Sequence, residues 1–228
     1  MKILAVDTAT KTCAAAIVDN GEPVTEIIVD QGKTHTRVLM EIISDMLSAA
    51  GMRTTDIDGL AVTIGPGSFT GLRIGLATVK GLALARSKPI AGISTLDALV
   101  VPVMEKTGQI CAMLDARRGE VYTALYRCGA SGLFQDGPAR AATPEQALAG
   151  ISGPVLFVGD GALAYKDRIV TELGDNACFA ETGQHMIRAS AVGKLGAEQI
   201  IAGKSFDAFT LVPFYLRRSD AEKAISGL

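Results

Sequence analysis

Eleven residues, Gly65-Pro66-Gly67-Ser68-Phe69-Thr70-Gly71-Leu72-Arg73-Ile74-Gly75, hold four glycines and a proline between a short apolar run and a long apolar stretch. A turn of this kind at a helix start can aim backbone N–H groups at a phosphate, helped by the helix dipole. The phosphate loop of nucleotide hydrolases ends in Gly-Lys-Ser/Thr. Here Leu72 and Arg73 follow Gly71, so that pattern fails. The other use of such glycines is packing. Gly71 and Gly75 lie four apart on one helix face, with Val79 and Leu82 continuing the stripe, and missing side chains let another helix approach. From Ile74 to Ala85 the helix is apolar nearly all round, which calls for cover on more than one side. A sheet can supply one cover. The segment Val38–Leu47 or another chain can supply the second.

Other chemistry is thinly represented. His35 and His185 stand alone, so no pair one helical turn apart is present to hold a metal. No Gly-x-Ser-x-Gly elbow offers a serine nucleophile. Cys13, Cys111, Cys128 and Cys178 are far apart, which reads as reduced thiols of a cytoplasmic protein and not as a disulfide frame or zinc site. The 22 basic and 24 acidic residues nearly balance, and neither half has a basic surplus, unlike a free-standing nucleic-acid binder. The opening apolar run is too short for a signal peptide, and no apolar stretch reaches the ~20 residues a bilayer requires.

The elements that must carry these residues follow from periodicity. Lys2–Val6, Thr12–Val18 and Val24–Val29 read as three antiparallel strands, with Asn20-Gly21 as the hairpin signal. Thr34 or Thr36 can cap a helix whose apolar face is Val38, Leu39, Ile42, Ile43, Met46 and Leu47, stopped by Gly51. Leu60–Ile64 is a buried strand, Thr70–Ala85 a helix, and Ile90–Ile93 a strand. Ser94 or Thr95 caps a helix ending near Pro102. The pattern then restarts: strands Gln109–Leu114 and Val121–Tyr126, a turn at 128–132, and a helix at Thr143–Ala149. Strand Val155–Val158 follows, then helices Leu163–Leu173 and Met186–Ala202.

A shift of 108 residues places Asp7 on Asp115, Ile17 on Leu125 and Gly21 on Gly129, so the unit reads as duplicated. A duplicated strand-strand-strand-helix-strand-helix unit resembles the actin, sugar-kinase and Hsp70 superfamily, an α/β fold of two lobes with a nucleotide between them. The expected lobes are 1–105 and 106–228. The resemblance makes Asp7, Thr8 and Thr10 of the first turn, and Gly159 and Gly161 of the second lobe, candidate nucleotide-binding residues. Ala9 departs from the glycine common at its position, which leaves the backbone less free to wrap a phosphate. Ordinary turns in an inherited fold are the plainer reading of both loops.

The Gly65–Gly75 motif resembles the signature of the TsaB (YeaZ) family, and Asp115-Ala116-Arg117-Arg118-Gly119-Glu120-Val121-Tyr122 and Pro213–Arg217 are also similar to that family. The Asp115–Tyr122 stretch reads either as a solvated turn or as a contact patch. The resemblance implies a cytoplasmic scaffold and activator, not an enzyme. Its catalytic partner TsaD transfers a threonylcarbamoyl group to the adenosine beside the anticodon of tRNA, with the small ATPase TsaE in the same pathway. It implies a TsaD heterodimer, or a homodimer when alone, through the first-lobe helices. The residues this places at the interface are Leu39, Ile43, Gly71, Leu72, Gly75, Leu76 and Val79. It implies tRNA contact through the complex and not directly, no cofactor of its own, and ATP or ADP at most at the complex interface. The competing expectation is a small-molecule kinase or ATPase of the same superfamily with Asp7 as its carboxylate.

Overall fold

The computed structural model describes residues 1–30, 35–104, 108–129 and 132–217. The chain divides into two units, Met1–Ala98 with Ile187–Phe214, and Leu99–Met186 with the chain from Tyr215 onward.

In the first unit, strands β1 (Lys2–Asp7), β2 (Cys13–Asp19) and β3 (Glu22–Val29) form an antiparallel meander, and β4 (Gly59–Gly65) and β5 (Ile90–Ser94) extend it in parallel. The sheet order is β3-β2-β1-β4-β5. Asn20 and Gly21 both adopt positive φ, 51° and 86°, as the two-residue hairpin between β2 and β3 requires. Helices α1 (His35–Ala49) and α2 (Phe69–Arg86) pack on one face of the sheet. Position 34, one of the two expected caps, lies outside the described residues, and Thr36 falls inside α1.

The opposite face is covered from the far end of the sequence. Helix α7 (Ala189–Ile201) lies across β1, β2, β4 and β5. Ala14 and Ala16 of β2 meet Ala189. A Cβ on Gly193 would come within 2.5 Å of Val18, and one on Gly196 within 2.5 Å of the Ala61 Cβ. Glu26 of β3 fixes the helix start. Its carboxylate accepts from the Arg188 Nε (2.8 Å) and from the backbone N–H and hydroxyl of Ser190 (2.9 and 3.1 Å). Two covered faces explain why β1, β2 and β4 are apolar at consecutive positions and not at alternate ones. A single cut at 105/106 therefore does not describe the two units. Helix α7 was expected in the second lobe, but its small residues are cut to fit the first sheet.

The second unit repeats the sheet. Strands β6 (Gly108–Arg117), β7 (Glu120–Gly129), β8 (Gly132–Ala142), β9 (Val155–Val158) and β10 (Ala177–Phe179) run in the order β10-β9-β6-β7-β8. Reversing that order matches the first sheet strand for strand, as expected of a duplication. Helix α3 (Thr95–Val100) leads into this unit, with the Ser94 hydroxyl accepting from Asp97 N–H. The short helices α4 (Pro144–Leu148), α5 (Asp160–Ala164) and α6 (Lys166–Leu173) cover a core built on Cys111, Met113, Val121, Phe157 and Ile169. The expected helix at 163–173 starts earlier and breaks at Tyr165. Residues 130 and 131 of the expected 128–132 turn lie outside the described residues. Among the described residues no helix is long and apolar enough to cross a membrane.

The α7 notch gives a stability prediction. Gly196→Val overpacks against Ala61 and costs about 1–3 kcal/mol, lowering the urea midpoint. Gly81→Ala, in a helix interior where a Cβ meets nothing within 4 Å, adds about 0.5–1 kcal/mol of stability and raises the midpoint. A Gly196→Val midpoint equal to that of the parent refutes the notch.

Candidate functional site

The end of β1 and the start of α2 form one interlocked structure. After Asp7 the chain turns through Thr8 and Ala9 directly beneath the first two turns of α2. The Thr8 hydroxyl donates to the Gly71 carbonyl at 2.8 Å, and Ser68 N–H donates to the Ala9 carbonyl at 2.7 Å. Three glycines make room for this. A Cβ on Gly67 would sit 2.5 Å from the Ala9 carbonyl oxygen, one on Gly71 2.0 Å from that of Thr8, and one on Gly75 2.4 Å from the Thr8 hydroxyl. Ser68 caps the helix with its hydroxyl, which accepts from Gly71 N–H at 3.3 Å. Farther along the loop, the Thr10 and Thr12 hydroxyls are 3.0 Å apart, and the His35 Nε2 lies 3.0 Å from the Thr10 carbonyl.

The seven residues expected at a partner interface therefore have another role. Leu39, Ile43, Gly71, Leu72, Gly75, Leu76 and Val79 are all buried within this chain. They seat α1 and α2 on the sheet and on the Thr8–Ala9 turn. The glycine notches receive this turn, not a second helix. What α1 and α2 turn outward is a different set. Met40 of α1 is 48% exposed and Leu84 of α2 55%, and Ala77 and Gly81 of α2 are exposed as well.

Asp7 is fully buried. Its Oδ1 accepts from the Thr63 hydroxyl at 2.7 Å and from Ala9 N–H at 3.1 Å, while Oδ2 has no partner. Burial pushes its carboxyl up to about 6, against the hydrogen bonds from Thr63, Ala9 and Thr8 that lower it. The neighbouring Cys13 thiol is pushed up to about 11, by burial first and then by the Asp7 charge.

The glycines proposed for the second lobe are also packing glycines. Gly159, at φ 112°, would place a Cβ 2.1 Å from the Met113 carbonyl oxygen, and Gly161 would place one 2.7 Å from the Leu114 carbonyl carbon. The Asp160 carboxylate accepts from Asp115 N–H at 3.0 Å. In each unit the glycines lie against the chain's own backbone, at the turn after β1 in the first and at the end of β6 in the second. His185, a buried residue with no assigned role in the sequence, braces this turn. Its Nδ1 lies 3.1 Å from the backbone N of Gly159, and its Nε2 lies 2.9 Å from the Ala180 carbonyl.

The Asp115–Tyr122 motif closes the β6–β7 hairpin. Arg117, Arg118 and Gly119 all take positive φ, 61°, 56° and 78°, and each arginine there costs about 1–2 kcal/mol of backbone strain. The Asp115 carboxylate accepts from Arg117 N–H at 2.8 Å, and Arg217 pairs with Glu120 at 2.6 Å. Burial raises the Tyr122 phenol, with Arg217 opposing.

Asp7 makes stability depend on pH in a definite direction. Its folded value lies above its unfolded value of 3.8, so its contribution is fully present below pH 3.8 and is lost as pH rises through about 6. At 1.36 kcal/mol per unit, the loss is about 3 kcal/mol. Asp7→Asn carries no such loss. Relative to the parent, the variant gains about that much stability between pH 4 and pH 7 in urea titrations. A difference between the two proteins that does not change with pH contradicts the burial of a titrating Asp7.

The family described as "TsaD: tRNA N6-adenosine threonylcarbamoyltransferase" matches residues 29–225. The chain is 33% identical to the tRNA threonylcarbamoyladenosine biosynthesis protein TsaB of Bacillus subtilis strain 168, over 97% of this chain and 96% of that one. The crystal structure of YeaZ from Pseudomonas aeruginosa superposes with a TM-score of 0.82 at 25% identity, covering 94% of this chain and 99% of the other. A hexokinase of the ROK type from Thermus thermophilus, at 12% identity and a TM-score of 0.50, covers 89% of this chain and all of that one, and shares the fold alone. With the duplicated sheets, these likenesses show an α/β fold of two mixed five-stranded sheets with helices, the fold of YeaZ and of the sugar-kinase neighbour. The chain belongs to the TsaB family of tRNA threonylcarbamoyladenosine biosynthesis proteins.

Proposed function

We propose that this chain is a non-catalytic activator that pairs with TsaD in threonylcarbamoyl transfer to the adenosine next to the tRNA anticodon. The observation that carries this reading is how the chemistry-bearing residues are used. Asp7, Thr8 and the glycines at 67, 71 and 75 are consumed in holding β1 to α2. The same helices leave exposed Met40 on α1 and Ala77, Gly81 and Leu84, at helical spacing, on α2. Small residues between large apolar ones let two helix pairs approach closely, and an exposed apolar stripe favours a partner. In this reading the outer face of α1 and α2 meets TsaD, or a second copy when TsaD is absent. The chain needs no cofactor, and ATP or ADP belongs to the complex, in which TsaE also acts.

The test is threonylcarbamoyladenosine formation on tRNA by the other pathway proteins from the same source, with and without this chain. Activity is expected only with it. Leu84→Glu and Met40→Glu should each lower TsaD association at least about tenfold, since burying an unpaired carboxylate at an interface costs several kcal/mol. Being exposed, both sites should leave the urea midpoint within about 0.5 kcal/mol of the parent. Undiminished activity in the absence of the chain would falsify the activator role. Full association of both variants would move the interface elsewhere.

A further inference from the structure

The stretch Phe206–Phe214 runs as a strap along β5. Phe206 exchanges two backbone hydrogen bonds with Ile90 (2.8 and 3.1 Å), and Phe214 N–H donates to the Ile64 carbonyl at 2.7 Å. Leu211 lies over Gly92, where a Cβ would come within 2.7 Å of it. Ala208 and Leu211 are the buried residues that seat the strap. Phe206, Phe209, Val212 and Phe214 point outward, 40%, 80%, 65% and 50% exposed. Three of the chain's seven phenylalanines are thus displayed within nine residues without being needed to hold the strap down.

The display is preorganised. The Asp207 Oδ1 accepts from the backbone N–H groups of Phe209 (2.7 Å) and Thr210 (2.8 Å) and from the Thr210 hydroxyl (3.0 Å), fixing the turn that projects Phe209. Asp207 is the strap's only carboxylate. The hydrogen bonds from Thr210 and Phe209, with the Lys80 charge nearby, hold it below the usual carboxylate range. Two cations stand beside it: Lys80 of α2, whose charge acts on Asp207, and Lys88, which the Ile90–Phe206 bridge sets alongside the strap. A second copy docked on this ridge would bring like charges together, so self-association fits poorly.

We propose that the ridge binds single-stranded RNA. Bases stack on Phe206 and Phe209, and phosphates meet Lys80 and Lys88. Aromatic rings interleaved with cations form a platform that tolerates any base, because every base has a π-face. The proposal rests on the reading of this chain as part of a tRNA-modifying assembly. It replaces the expectation of no direct RNA contact, because overall charge balance conceals a local cationic patch.

The test is fluorescence anisotropy of a short, unstructured, end-labelled RNA titrated with the whole chain at about 50 and 200 mM salt. Saturable binding that weakens with salt is expected. Phe209→Ala should weaken it about tenfold, and Lys88→Glu should weaken it and flatten the salt dependence. Both sites are on the surface, and circular dichroism checks that each variant stays folded. No saturable binding, or binding unchanged in Phe209→Ala, overturns the proposal. So does a Phe209→Ala variant that keeps its RNA affinity but loses TsaD, which would make the ridge a protein-docking surface. The two readings fail separately. A chain that is required for tRNA modification but binds no RNA sinks the ridge proposal alone. A dispensable chain sinks the activator role and leaves the anisotropy result standing.

Discussion

The first unit depends on one close approach, the Thr8 carbonyl against the Cα of Gly71. No other residue type can occupy position 71 while the turn after β1 stays where it is, since a Cβ there would lie 2.0 Å from a backbone oxygen. Backbone cannot rotate away as a flexible side chain can. The approach sets the height of α2 over the sheet and lets the Thr8 hydroxyl reach the Gly71 carbonyl. It brings Ser68 N–H to the Ala9 carbonyl and so anchors the turn that precedes the helix. The same rule recurs in the second unit, where Gly159 and Gly161 lie against the backbone of Met113, Leu114 and Asp115. In each sheet the strand in the position of β1 ends under a glycine-notched segment that follows its parallel neighbour.

This lock explains why a carboxylate at the end of β1 can be buried at all. Asp7 receives two hydrogen bonds on one oxygen and none on the other. Its ionised form is therefore disfavoured, and the turn above it excludes water. Through the Thr63 hydroxyl Asp7 ties the end of β1 to β4.

The elements were largely legible in the sequence because each has a strong local signal. Asn20-Gly21 marks the hairpin, the four-residue spacing of Leu39, Ile43 and Leu47 marks α1, and the run Gly65–Gly75 marks a strand-to-helix turn. The 108-residue shift matched β1 with β6 and β2 with β7, but it would set β4 on α6 and not on β9, because the connections differ in length. The partners of those elements were not legible. An apolar helix face shows that something covers it, not what. Gly71 and Gly75 were read as a notch for a second helix, yet their neighbour is Thr8, more than sixty residues away in the chain. Helix α7 follows the second sheet in sequence, and only its small residues, matched to Val18 and Ala61, assign it to the first. Strand β10 is three residues long and carries too little pattern to be seen.

The consequence for function lies in what the lock leaves over. With Leu39, Ile43, Leu72, Leu76 and Val79 spent on the sheet, the inner faces of α1 and α2 cannot also serve a partner without unfolding the unit. Variation on those faces is bound to stability. The outer residues Met40, Ala77, Gly81 and Leu84 are exposed, so their identity is bound less tightly to the packing of the unit.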